Sequence, residues 1–271
     1  MGELIFGRDY MLLNTEEKPV LEEIKKDEAD RRQGILLISK SKYREYPKAV
    51  RHYLSLFPNY FLDSIDLSDE SQHFSKTLEQ FRNLLGLSST GEREIVSFIK
   101  SNKAYFMIGA ILQKGFYFGP HACFVFPEFR LGSEFKADYL IAGENSHGYH
   151  FVFVELEDHK GSISLQDGEF GLVIRKGTTQ VNRWRIWLDE NFTSLRPTFE
   201  KVMSPNYSVL PREFTVLDRS RIHFAVIAGR RTNYSPHTQR LQREEQDNRV
   251  HILHYDNLVE NAEIALQWKN Y

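Results

Sequence analysis

Apolar residues recur at helical spacing over Tyr46 to Phe57, where Val50, Tyr53, Leu54 and Phe57 fall on one side. They do so again over Gln72 to Leu85, with Phe74, Leu78, Phe81, Leu84 and Leu85. Each pattern predicts a helix with one face against a core. The charged stretch KPVLEEIKKDEADRR, Lys18 to Arg32, predicts an exposed helix, and GILLIS, Gly34 to Ser39, a short buried strand. GLSSTG at 86–91 interrupts the pattern and leaves Thr90 placed to cap the next helix, on which Glu92, Ile95, Phe98 and Ile99 share a face to about residue 102. A boundary is expected there, between an N-terminal domain over 1–88 and a second domain over 89–271.

Further on, the period shortens to two. FKADYLIA (135–142) and YHFVFVELE (149–157) flank the turn-rich GENSHG (143–148), which predicts a hairpin. A helix follows from about Thr178 to Asn191, capped by threonine. The nearly continuous apolar run IHFAVIA (222–228) reads as a strand buried on both faces. Ser235-Pro236 opens a helix to about Gln246, Val250 to His254 is another strand, and Asp256 is placed to cap a last helix. Strand, helix, strand in that order requires a parallel pair beside the antiparallel hairpin. The expected class is therefore α/β: a mixed β-sheet flanked by helices, with a smaller N-terminal α/β domain.

Composition narrows the function. With 271 residues, 41% hydrophobic and 13% aromatic, and ordinary counts of Gly (16) and Pro (9), the chain is neither fibrous nor disordered. A single cysteine, Cys123, cannot form an intrachain disulfide and fits a reducing compartment. No apolar run reaches the length of a membrane helix, and MGELIFGRDY lacks a basic leader, so a cytoplasmic location without a membrane is expected. Thirty-five Lys+Arg against 37 Asp+Glu gives a net charge of -2, so any nucleic-acid site must be local. GxGxxG and GxxxxGK[ST] are both missing, which argues against ATP hydrolysis. The histidines lack metal-ligand spacing, and His147, His150 and His159 read as loop or surface residues.

The chemistry gathers on the hairpin. Alternation puts Glu155 and Glu157 on one face and Val152, Val154 and Leu156 on the other. A turn symmetric about GENSHG makes facing residue numbers sum to 291. Asp138 then lies opposite Phe153 and diagonal to Glu155, about 7–8 Å away, with Lys136 opposite Glu155. Clustered carboxylates repel unless a cation neutralises them, and Mg2+, with Mn2+ as a substitute, prefers such oxygen ligands. That combination suits phosphodiester hydrolysis. The plainer alternative is a soluble acidic strand edge with a Lys136–Glu155 ion pair.

The order of Glu92 on a helix, Asp138 on a strand, Glu155-Leu156-Glu157 on the next, and Gln180 with Trp184 on a helix resembles the PD-(D/E)XK nuclease superfamily. More narrowly, VFVELEDHKG (152–161), TTQVNRWRIWLDEN (178–191), VIAGRR (226–231) and ILHYDNL (252–258) resemble the C-terminal nuclease domain of the Shedu antiphage defence proteins, over about residues 90 to 265. The resemblance implies a restriction-endonuclease-like core and an Mg2+-dependent endonuclease that cuts or nicks double-stranded DNA, with phage DNA as the expected target. It also implies a homo-oligomer, dimer or tetramer, whose N-terminal domain regulates access or senses DNA. Asp138 and Glu155 match the metal-binding carboxylates, joined by the Leu156 carbonyl, and Gln180 matches the glutamine of the Q-x-x-x-W/Y helix. Glu157 stands where the superfamily has a lysine, which leaves it as a second ligand or base and leaves a positive charge to be found. Lys136 and Lys160 are the candidates by proximity, and Glu92 is a possible extra ligand. Arg175, Lys176 and Arg183 around the Gln180 helix, with Arg230 and Arg231, are candidate phosphate contacts; the plainer alternative is a solvated face or subunit interface. The rival reading is a catalytically inactive nuclease-fold module that binds DNA or serves assembly.

Overall fold

Alternating and continuous apolar segments pair into a five-stranded sheet in a computed structural model that describes residues 4–32 and 45–271, with side chains from 27 to 32 left aside. The strand expected over Gly34–Ser39 lies outside the described residues. The strands are β1 (Ala122–Leu131), β2 (Phe135–Asn145), β3 (Gly148–Leu156), β4 (Ile222–Ile227) and β5 (Val250–Leu253), in that spatial order. The pairs β1–β2 and β2–β3 are antiparallel; β3–β4 and β4–β5 are parallel. The α/β class and mixed sheet thus stand as expected.

The first strand escapes the sequence pattern because Pro127 interrupts it and Glu128 takes a positive φ of 49°. Both are tolerated at a sheet edge, where one side of the strand needs no ladder hydrogen bonds. The hairpin turn is Ser146-His147, between the paired residues Asn145 and Gly148. Gly148 closes it at φ 101°, in the left-handed region that favours glycine. Facing residues therefore sum to 293, two more than expected. A two-residue shift preserves the face, so Asp138 stays on the side of Glu155, and the two residues flank the last bonded pair, Tyr139 and Val154.

Helices cover both faces: α1 (Glu17–Arg32), α2 (Lys48–Leu54), α3 (Ser64–Asp69), α4 (Ser71–Gly86), α5 (Glu92–Ser101), α6 (Tyr105–Gly109), α7 (Leu172–Asn191), α8 (Arg196–Glu200), α9 (Pro236–Asp247) and α10 (Tyr255–Trp268). Ser235 caps α9 as expected, its hydroxyl accepting from the Thr238 N–H. The cap of α10 is His254, not Asp256: its ring nitrogen accepts from the Asn257 N–H, while Asp256 pairs with Arg230. Thr90 does not cap α5 either. Its hydroxyl donates to the Leu84 carbonyl at 2.6 Å, and Gly91 takes the capping position. Buried residues on both sides of 86–91, Phe81 and Leu85 before and Ile95 and Ile99 after, join one core cluster with Trp184, Phe153 and Phe224.

Candidate functional site

The carboxylates meet at the C-terminal end of β3, where the hairpin gives way to the parallel pair. Glu155 is buried, 6% exposed, and Glu157, just past the strand, is 2% exposed. The chain continues its ladder there: the Glu157 N–H donates to the Ile227 carbonyl at 2.8 Å, and the Tyr255 hydroxyl, from α10, donates to the Glu157 carbonyl at 2.8 Å. Asp138, across on β2, accepts from the Leu156 N–H at 2.8 Å, which fixes its carboxylate over the strand junction.

Electrostatics sets these groups apart. Burial pushes the Asp138 carboxyl up to about 6, against the pull of the Leu156 N–H, with Glu92 and Glu157 adding to the rise. Glu155 is pushed up to about 9, by burial first and then by Asp138 and Glu157. Its carboxylate accepts no hydrogen bond from the described residues. Burial also raises Glu157, although Lys176 pulls the other way, and one of its oxygens, Oε1, is buried without a hydrogen-bond partner. Carboxyls that raise one another, with Glu157 Oε1 unmet, form a donor set that a divalent cation fits: it restores their charge and satisfies their oxygens. Among the described residues no three His, Cys, Asp or Glu side chains converge as a ready-made cage, so main-chain oxygen or water would complete such a coordination shell.

The candidate cations separate clearly. Lys136 is exposed and donates to Glu128 at 2.6 Å. Lys160 donates to the carbonyls of Leu87, Ser88 and Thr90 at 2.8, 2.7 and 2.8 Å, so it holds the 86–91 segment down. Arg230 is paired with Asp256 at 2.7 Å and Arg231 with Glu260. Arg175 and Arg183 are exposed on α7 and have no side-chain partner among the described residues. Lys176 alone of the candidates reaches the acidic group: its Nζ donates to Glu157 Oε2 at 2.7 Å and lies 3.8 Å from Glu92 Oε2. Gln180 follows one turn later on α7, half-buried. Trp184 is fully buried and Trp187 nearly so, core residues beneath that face.

Sequence reading missed Gly177. A Cβ built there would lie 2.5 Å from Val226 and 3.2 Å from the Glu157 Cγ, so glycine is what lets α7 close on the sheet. A glycine inside an otherwise helical stretch was the available signal. Sequence reading also misplaced His150 and His159: His159 is buried, 1% exposed, and His150 stacks on Phe118 with ring centroids 4.6 Å apart. Beside Asp138 a cleft of about 530 Å³ opens between α5 and the β1–β2 edge, with Glu92, Arg93 and Ser97 on one wall and Lys136 on the other.

A family model described as Shedu protein SduA, C-terminal, matches residues 89–259. No curated protein matches the chain.

Proposed function

The chain belongs to the Shedu family, and on that premise we propose that it is a divalent-metal-dependent endonuclease that cuts or nicks double-stranded DNA. Membership suggests a part in antiphage defence; the nuclease reading is ours. It is carried by one observation: Asp138, half-buried, and Glu155, buried, flank the last bonded pair of β2 and β3, Tyr139 and Val154, with carboxyls raised to about 6 and about 9, a repulsion that a divalent cation relieves. The mixed sheet with its flanking helices is compatible with a restriction-endonuclease-like core.

In this reading Asp138, Glu155 and the Leu156 carbonyl hold Mg2+, or Mn2+ in its place. When bound, the ion supplies Lewis-acid neutralisation of the phosphoryl oxygens and makes water a better nucleophile. The protein's own groups do the rest. The Leu156 N–H keeps Asp138 aimed, Tyr255 and Lys176 fix Glu157, and Glu157 serves as second ligand or as base for the attacking water. Gln180 orients that water. The cleft beside Asp138 receives the scissile strand, with Glu92 at its edge, and Arg175 and Arg183 contact flanking phosphates. The working unit is taken to be a cytoplasmic homo-oligomer whose N-terminal part governs access to DNA. Among the described residues no single helix is long and apolar enough to cross a membrane.

The test is incubation of linear and supercoiled DNA with purified protein in Mg2+, Mn2+ or EDTA, beside Glu155→Gln. Expected is cutting with either metal, none in EDTA, and a loss of at least ~100-fold in the variant. DNA left intact by the wild-type protein under all conditions, yet bound equally by both proteins, would replace the nuclease with the inactive module.

A further inference from the structure

We propose that Lys176 supplies from α7 the positive charge that the strand position occupied by Glu157 lacks, acting on the phosphate under attack; the proposal rests on the nuclease reading above. The strand position cannot provide the charge, because a glutamate there adds to an already acidic group. Lys136, on the partner strand, and Lys160, three residues on, are turned to Glu128 and to the three carbonyls of the 87–90 segment. Lys176 is thus the cation among these whose ammonium touches the site, at 2.7 Å from Glu157 Oε2.

Its placement fits the task. The side chain is 57% exposed while Glu157 is 2% exposed, so the ammonium lies on the solvent side of the buried carboxylate, next to Glu92 at the edge of the cleft beside Asp138. An ammonium has three donors. One meets Glu157, and the others remain directed by that anchor and by Glu92 at 3.8 Å. The close approach at Gly177 holds the helix near enough for this reach. The site thus has its carboxylate on the strand and its ammonium on the helix. A fixed positive charge beside developing negative charge stabilises it.

Three variants test this: Lys176→Gln, Lys176→Glu and the exchange Glu157→Lys/Lys176→Glu. Each is assayed for single-turnover DNA cleavage with Mn2+, Mn2+ binding by calorimetry, DNA binding in EDTA and thermal melting. Lys176→Gln is expected to cleave ~100-fold more slowly, with DNA binding within threefold and Mn2+ bound as tightly or more tightly, because a repelling charge has gone. The exchange variant is expected to recover at least tenfold over Lys176→Glu. Cleavage by Lys176→Gln within threefold of wild type would overturn the proposal and leave the nuclease reading standing. So would weaker Mn2+ binding with a lowered melting point and slowed cleavage, the mark of a structural ion pair. Wild-type protein that cuts no DNA would overturn both.

Discussion

Lys160 shows what a single side chain does when its neighbours in space differ from its neighbours in sequence. Three residues past Glu157, it is close enough along the chain to serve catalysis, yet all three of its donors end on carbonyls at the close of α4 and in the segment after it. All three carbonyls lie past the last residue of α4, and that of Leu87 also accepts from the Thr90 N–H at 3.3 Å, so the lysine pins the connection between α4 and α5. Lys160→Met keeps the stem and deletes the donors. Charge-assisted bonds of this kind are worth about 1.5–3 kcal/mol when shielded, and the exposed position of Lys160 puts the loss at the low end. The expected outcome is a lower melting temperature with the rate of DNA cleavage within twofold of wild type. A loss of rate exceeding the loss of stability would return Lys160 to the catalytic group.

At the scale of elements, α7 does most to build the site, and it was the element least legible in the sequence. Its apolar pattern is visible only from Thr178, because Gly171 and Gly177 look like breaks; the helix in fact begins at Leu172 with Gly171 as its cap. That lost turn carries Lys176, so the lysine could be seen as a basic residue but not as the partner of Glu157. The hairpin was easier. Period-two alternation put Asp138, Glu155 and Glu157 on one face, and the face survives the correction of register because parity, not turn position, determines it. What alternation cannot supply is the third dimension: which lysine comes down over the strand end, and that Arg230 and Arg231 are taken up by Asp256 and Glu260 on α10. Gly177→Ala tests the close approach directly. Its methyl would meet Val226 at 2.5 Å, and overpacking of this kind costs about 1–3 kcal/mol. Expected are a lowered melting point and slower cleavage, because α7 must move outward with Lys176. An unchanged melting point would mean that the helix yields freely there and that Gly177 has no part in positioning.

Across the whole molecule the two faces of the sheet carry opposite titrations. On the face away from the carboxylates, His150, His223 and His251 stand on successive strands among Phe116 and Phe118. Burial lowers His223 to about 3 and His251 to about 4, and His150 moves down as well. Below pH 6.5 the unfolded chain takes up protons that these folded rings refuse, so stability falls as the solution is acidified towards 4. On the carboxylate face the sign reverses. Above about pH 4.5 the unfolded chain has released a proton that folded Glu155 keeps until about 9, so stability falls as pH rises through that window, with Asp138 adding to the fall up to about 6. Metal-free protein should therefore melt highest at about pH 6 to 6.5, where the histidine loss has ended and the Glu155 loss continues, and lose stability on both sides. Melting curves from pH 4 to 9 check this, and two variants separate the limbs. His251→Phe is expected to soften the acid loss alone, since a neutral ring of similar shape replaces one that must stay uncharged. Glu155→Gln is expected to flatten the alkaline loss alone, and added Mg2+ should raise the alkaline limb of the wild-type protein but not of that variant. An alkaline limb unmoved by both Mg2+ and Glu155→Gln would separate the acidic cluster from any role in holding a cation.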